Sequence, residues 1–335
     1  MEIVEHRVWF LAWPGIQALD LVGPHEVFAA ANRVADGMDR HGPRYRTRVV
    51  SAEATVVPSE SGLALHAEAV GPRSGPGPHT LVLPGGDGVH QAAADRQVTE
   101  LVAALAQRAD RLATVCTGAF LAAAAGLLEG RRVATHWARA RRLSATNPGV
   151  EVDAEAIHLC DREGGDLPVW SSAGVTAGID LALAMVEHDH DPEVAQVVGR
   201  WLVVHLRRPG GQSQFAAPMW APPSSLAPVR AAQSLVQAGP AEDHSVAALA
   251  ARVGVSARHL TRLFAADTGE TPGRYVERIR VDLAREELEA GAADLAAVAR
   301  RCGFGTTETL RRAFHRRLGV APDDYRRRFR LEPAT

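Results

Sequence analysis

No lysine occurs in the 335 residues, so arginine carries all side-chain positive charge apart from histidine. That bias belongs to the genome and assigns no function. Cysteine is scarce: Cys116, Cys160 and Cys302 are too few for a disulfide framework and show no pairwise metal-ligand spacing. Long apolar runs are absent too. The uncharged, alanine-rich run Leu112 to Leu128 falls short of the roughly 20 apolar residues a spanning helix needs and contains Thr and Gly. The N-terminus has no basic segment followed by an apolar core and a small-residue cleavage site, which predicts a cytoplasmic chain with no membrane partner. His188-Asp189-His190-Asp191 invites a metal reading, but adjacent residues point different ways and Pro192 follows, so these residues are expected to end a helix. No metal or other cofactor is expected.

What is present is asymmetric. The whole chain has a formal charge of −2, yet residues 240–335 hold 17 Arg against 14 Asp and Glu. Between Arg300 and Arg330 there are 10 Arg against 3 acids. A basic end on an acidic body points to phosphate contacts and hence to nucleic acid.

The same end contains one pattern written twice. Val246, Leu249, Ala250, Gly254, Leu260, Arg262, Phe264, Gly269, Pro272 and Tyr275 recur as Leu295, Val298, Ala299, Gly303, Leu310, Arg312, Phe314, Gly319, Pro322 and Tyr325. One inserted residue at the turn separates two matched units. Each reads as a helix, a glycine turn and a second helix, with Ser245 and Ser256 as N-caps in the first copy. Leu260, Leu263 and Phe264 face inward, which leaves Ala257, Arg258, Thr261 and Arg262 on a face suited to a major groove.

These residues resemble the AraC/XylS family of transcription regulators, whose DNA-binding module joins two helix-turn-helix units by one long helix. Here Thr271 to Glu289 is the joining helix, with Pro272 in its first turn and Gly291 past its end. Cys302-Gly303-Phe304-Gly305 matches the family's most recognisable segment. The resemblance implies base-reading roles for Arg258, Thr261 and Arg262, and for Thr307, Thr309 and Arg312. Arg316, Arg317 and Arg326 to Arg328 are expected on phosphates. Glu308 departs from a basic face; it either accepts from a cytosine amino group or points away.

The first 200 residues alternate short apolar runs with helical stretches. Strands are expected at Arg7 to Trp13, Tyr45 to Ser51, Thr80 to Pro84 and Arg111 to Val115, and helices at Leu21 to Asn32, Val98 to Arg108 and Ala119 to Leu128. Strands without strict alternation, interleaved with helices, predict a mostly parallel sheet covered on both faces, with any ligand at the strands' carboxyl ends. Two such ends stand out: Pro84-Gly85-Gly86 and Val115-Cys116-Thr117-Gly118. The second has the order of a nucleophile elbow, and a thiol at a helix N-terminus can have a lowered pKa. Gly85 and Gly86 would let backbone N–H groups approach an anion. Cys116 is equally readable as a small buried hydrophobe.

Asp20 to Pro24, Pro84 to Gly86, Cys116 to Phe120, Thr135-His136-Trp137 and Ser172 to Asp180 together resemble the ThiJ/PfpI branch of the class I glutamine-amidotransferase-like fold. The resemblance implies Cys116 at the nucleophile position, Asp20 as its acidic neighbour and Thr117 as a donor, as in isonitrile hydratases. His136 lies where amidotransferases keep a base, or is a structural histidine; Asp20 is otherwise a helix N-cap.

Arg207 to Phe215 then leads through prolines at 218, 222, 223 and 228 to a helix from Ala227 to Ala238. This Arg-Arg-Pro-Gly-Gly-Gln stretch and the domain order resemble the GlxA-type subfamily of AraC regulators. The expected architecture is a flavodoxin-like α/β sensor domain over 1–206, with a mostly parallel sheet and helices on both faces, a linker with one helix over 207–238, and an all-α reader with two helix-turn-helix units over 239–335. The expected function is a DNA-binding transcription factor acting on double-stranded promoter DNA in response to a small-molecule effector, as a homodimer through its N-terminal domain and in company with RNA polymerase. A hydratase or amidohydrolase, or a thiol redox sensor, acting through Cys116 is the alternative.

Overall fold

A computed structural model describes residues 4–38, 40, 42–53, 55–204, 211–212, 224, 226–289 and 294–329. The chain divides into two compact units, 1–208 and 209–335. The Arg207 to Gly210 signature, Ser213 to Phe215, the prolines at 218, 222 and 223, Gly291 and Arg330 lie outside the described residues.

The first unit runs β1 (Glu5–Leu11), α1 (Ala18–Gly37), β2 (Arg44–Ser51), β3 (Val56–Pro58), β4 (Ala64–His66), β5 (Glu68–Ala69) and β6 (Thr80–Leu83). It continues α2 (Val89–Ala94), α3 (Arg96–Ala106), β7 (Arg111–Val115), α4 (Gly118–Ala124), β8 (Arg132–Ala134), α5 (Trp137–Thr146) and β9 (Glu151–Asp153). It ends β10 (His158–Asp161), β11 (Val169–Ser172), α6 (Ala177–Asp189) and α7 (Pro192–Trp201). Among the described residues the main sheet has the order β10-β11-β7-β6-β1-β2-β5, antiparallel only between β10 and β11.

The pleat of β1 sorts its side chains to two cores. Val8 and Phe10 join α1, α6 and α7 on one face. Trp9 and Leu11 join α3 and α4 on the other. Burial on both faces is why these strands read as continuous apolar runs. The expected elements recur with shifted ends. Helix α1 begins three residues before the expected Leu21 and continues through Gly23-Pro24, where a Cβ on Gly23 would lie 2.9 Å from Ile179 of α6; close packing of the two helices overrides the local break signal.

His188 to Asp191 have structural roles. Asp189 forms a buried bidentate pair with Arg111, both contacts at 2.6 Å, and accepts from the Tyr45 hydroxyl at 2.8 Å. Asp191 caps α7 by accepting from the Val194 N–H at 2.8 Å. Burial and the nearby Arg111 lower the pKa of His6, beside this pair, to about 4.

The second unit comprises α8 (Ala227–Ala238), α9 (Val246–Arg252), α10 (Ala257–Thr268), α11 (Pro272–Glu289), α12 (Leu295–Arg301), α13 (Thr307–Leu318) and α14 (Pro322–Phe329). The two copies build two cores. Val229, Leu249, Leu260 and Phe264 form one, and Val298, Leu310, Phe314 and Leu318 the other. Helix α11 serves both, placing Tyr275, Val276 and Ile279 in the first and Val281, Ala284 and Leu288 in the second. The repeat is visible in detail. Phe264 meets Tyr275 at 5.5 Å between ring centres and Phe314 meets Tyr325 at 5.3 Å, while Gly269 and Gly319 end α10 and α13 in the left-handed conformation.

Candidate functional site

Strand β7 ends at Val115, and Cys116 follows with φ of +56°, turning the chain sharply into α4. A left-handed non-glycine residue is strained and has to be held. Here the Cys116 N–H donates to the Ser172 carbonyl at 3.1 Å, and its own carbonyl accepts from the Thr135 hydroxyl at 2.7 Å. Gly174, at φ +92°, passes directly over the residue: a Cβ there would fall 2.1 Å from the Cβ of Cys116.

Asp20 is completely buried beneath this turn. It sits in the first turn of α1, but Gln17 is the cap of that helix. The Asp20 carboxylate instead accepts from Gly85 N–H at 2.9 Å and Val175 N–H at 2.6 Å, and hydrogen-bonds the Cys116 thiol. Desolvation raises its pKa to about 7. Burial, reinforced by the Asp20 charge, pushes the Cys116 thiol well above its ordinary range. The lowered pKa that a helix N-terminus can give is therefore reversed, because Cys116 is only 8% exposed and burial outweighs the helix end.

Gly85 and Gly86 do not hold out free N–H groups. The first donates to Asp20, the second to the Thr117 hydroxyl at 2.9 Å, which in turn donates to the Gly86 carbonyl at 3.1 Å. Gly86 has φ of +136° and lies so close to Gly15 that a Cβ would come within 2.3 Å of its carbonyl oxygen. His136 caps α5, its Nδ1 accepting from Ala138 N–H at 3.3 Å, and burial together with Arg139 lowers its pKa.

These residues open onto a cleft of about 330 Å³ in which Cys116, Thr117, Gly86 and His136 are joined by Glu60, Asp87 and Arg139. The last three were not expected from sequence. Glu60 accepts from Gln17 Nε2 at 2.6 Å and Asp87 N–H at 2.9 Å, so it ties the β3–β4 hairpin to the cleft rim. Only its two long-range partners reveal that role; no local signal does.

In the second unit, α10 and α13 present the expected faces. Arg258, Arg262 and Arg312 are exposed, while Leu260, Phe264, Leu310 and Phe314 are fully buried. Thr261 donates its hydroxyl to the Ala257 carbonyl at 2.9 Å, and Arg262 lies 3.2 Å from His259 Nδ1. Thr307 is half-buried in the first turn of α13. The Thr309 hydroxyl is 2.9 Å from that of the cap, Thr306. Glu308 lies 3.6 Å from Arg312 on the same exposed face of α13. Arg316 and Arg317, expected on phosphates, both engage Glu277 of α11.

Residues 6–188 match the DJ-1/PfpI family and residues 249–328 a helix-turn-helix domain. A relative from Mycobacterium tuberculosis, the HTH-type transcriptional regulator Rv1931c, is 36% identical over 273 residues, covering 75% of this chain and 95% of its own length. The chain belongs to the DJ-1/PfpI family. Within it, this member carries an AraC-type helix-turn-helix domain and is a DNA-binding transcription factor. The isonitrile hydratase of Pseudomonas putida is 31% identical over 192 residues, 57% of this chain and 75% of that protein. A ThiJ/PfpI family protein from Pseudomonas syringae superimposes with a TM-score of 0.53 at 28% identity, covering 70% of this chain and 87% of that one. Among the described residues no helix is long and apolar enough to cross a membrane.

Proposed function

We propose that this transcription factor is switched by a small-molecule effector bound without covalent chemistry in the Cys116 cleft. Residues 1–206 act as the sensor, 207–238 as the linker and 239–335 as the reader of double-stranded promoter DNA. Arg258, Thr261 and Arg262 of α10, and Thr307, Thr309 and Arg312 of α13, contact bases. The protein works in the cytoplasm, dimerises through its N-terminal unit and acts on RNA polymerase at the promoter.

The observation that carries the sensor reading is the cleft itself. It has the volume of a small-ligand site, lies at the carboxyl ends of β6 and β7, and is lined by one cation, Arg139, which lies 3.7 Å from the Asp87 carboxylate, and by Glu60. The thiol at its floor is held in its neutral form by burial, which favours binding over nucleophilic attack. A ligand preferring one conformation of the sensor is sufficient to shift DNA occupancy, and turnover is not required.

A second reading rests on the Asp20–Cys116 pair and the likeness to an isonitrile hydratase: an acid beside a thiol on a strained elbow is also what cysteine-dependent hydration uses. The two readings part on one experiment. The full chain is screened by thermal shift against small carboxylates, amines and amides, and incubated separately with an alkyl isonitrile. Stabilisation by a compound that also changes DNA binding, retained in Cys116→Ser, supports the sensor. Hydration of the isonitrile that Cys116→Ser abolishes would replace it with the enzyme.

A further inference from the structure

Helix α11 sets the distance between the two reading helices, and one acid on it reaches across from the first core to the second. Glu277 lies between Val276 and Ile279, which pack in the first core, yet its carboxylate takes Arg316 Nε at 3.3 Å and Arg317 Nε at 3.2 Å from α13. Arg317 also donates to the Arg274 carbonyl, so its guanidinium grips α11 at two successive turns. The side chains of Glu277 and Arg317 are 26% and 22% exposed.

We propose that Glu277 is a positioning residue that fixes where α13 stands relative to α10, and thereby selects the separation of the two half-motifs on DNA. Two observations support this over an ordinary surface ion pair, which contributes little. First, the clasp is absent from the first copy. The positions equivalent to Arg316 and Arg317 there are Ala266 and Asp267, and α10 folds onto its core without them. Forming a helix-turn-helix therefore does not require the contact. Second, two arginines of a basic DNA-facing segment are held by a carboxylate, an arrangement that weakens phosphate attraction and has to be offset by another gain. A guanidinium fork between a carboxylate and a carbonyl fixes direction as well as distance.

The test uses the full chain and a pool of duplexes with a randomised centre. Wild type should enrich two half-motifs at one separation. Glu277→Gln should enrich the same half-motifs over a spread of separations, and its preference for the wild-type duplex over one lengthened by a base pair should fall by roughly tenfold, the size of a lost specific contact. Simple electrostatics predicts otherwise: removing a negative charge would tighten binding to every sequence with the separation unchanged, and that result overturns the proposal. Should Glu277→Gln lose the second half-motif through misfolding, Arg317→Lys decides. Lysine keeps the charge a phosphate needs but cannot grip two acceptors in a fixed plane, so a broadened separation supports positioning and a wild-type separation sinks it.

Discussion

Asp20 and Cys116 share a buried hydrogen bond in which two acids compete for too few protons, and the surroundings decide the outcome. Desolvation disfavours the charged form of each. The carboxyl is held near 7 and the thiol higher still, although both stand at helix N-terminal ends.

A reactivity profile follows. Iodoacetamide should modify Cys116 slowly near neutral pH, with the rate rising only in strongly alkaline solution, while half-buried Cys160 reacts first. Asp20→Asn removes the adjacent negative charge and should raise the neutral-pH rate at Cys116, by about tenfold for each pKa unit by which the thiol falls. Peptide-resolved mass spectrometry measures both sites in one sample. Rapid labelling of Cys116 in wild type at pH 7 would refute the buried, neutral thiol.

The same pair gives the first unit a signed pH dependence. Asp20 has a folded pKa raised from 3.8 to about 7, so its contribution is fully present below about 3.8 and is lost as pH rises through about 7. His6 works in reverse: with its pKa lowered to about 4, its contribution is present above about 6.5 and is lost as pH falls through about 4. Comparing wild type with Asp20→Asn cancels the histidine. Five of the six tryptophans, Trp9, Trp13, Trp137, Trp170 and Trp201, lie in the first unit, so fluorescence melting of the full chain reports mainly on it. The melting-temperature advantage of wild type should shrink between pH 4 and pH 7. A constant difference across that range would remove Asp20 as the titrating group.

Gly174→Ala tests how tightly the elbow is closed. The new methyl would overlap Cys116 and sit on a backbone with φ of +92°. The first unit should lose on the order of 3 kcal/mol in denaturant unfolding, combining overpacking with backbone strain. A loss below about 1 kcal/mol would mean that the turn over Cys116 relaxes freely.

On DNA, Arg262→Ala and Arg312→Ala should each relax preference at one base pair by about 1–3 kcal/mol. Arg326 and Arg327, expected on phosphates, should on loss weaken all sequences evenly and flatten the salt dependence. Competition titrations against specific and random duplexes separate the two patterns. Equal losses on both duplexes for Arg262→Ala would remove that residue from the reading set.

Much of this was legible in the sequence because it is written locally. Each copy in the second unit closes its own core through residues spaced along neighbouring helices, so Leu260, Phe264 and Tyr275 announce themselves, and their recurrence fixes Leu310, Phe314 and Tyr325. Strand β7 and Cys116 were legible for the same reason. The remainder depends on contacts between distant segments. Val175 reaches Asp20 from 155 residues away, and Glu60 reaches the cleft from a hairpin that has only three-residue strands. Sequence leaves Cys116 open between a helix-end thiol and a small buried hydrophobe, because the burial that raises its pKa comes from segments far along the chain. Arg316 and Arg317 are expected on phosphates by composition, and no local signal announces their link to Glu277, 39 and 40 residues earlier.

Helix α11 ties the stability of each copy to the presence of the other. Since Ile279 belongs to one core and Val281 to the next, only two positions apart on one uninterrupted helix, neither copy owns a complete foundation. A fragment that kept the first copy and the whole of α11 would bare the stripe of Val281, Ala284 and Leu288 to water, and one that kept α11 and the second copy would bare Tyr275, Val276 and Ile279. Deleting either copy would therefore uncover one stripe of α11, so each copy is expected to lose stability when the other is removed.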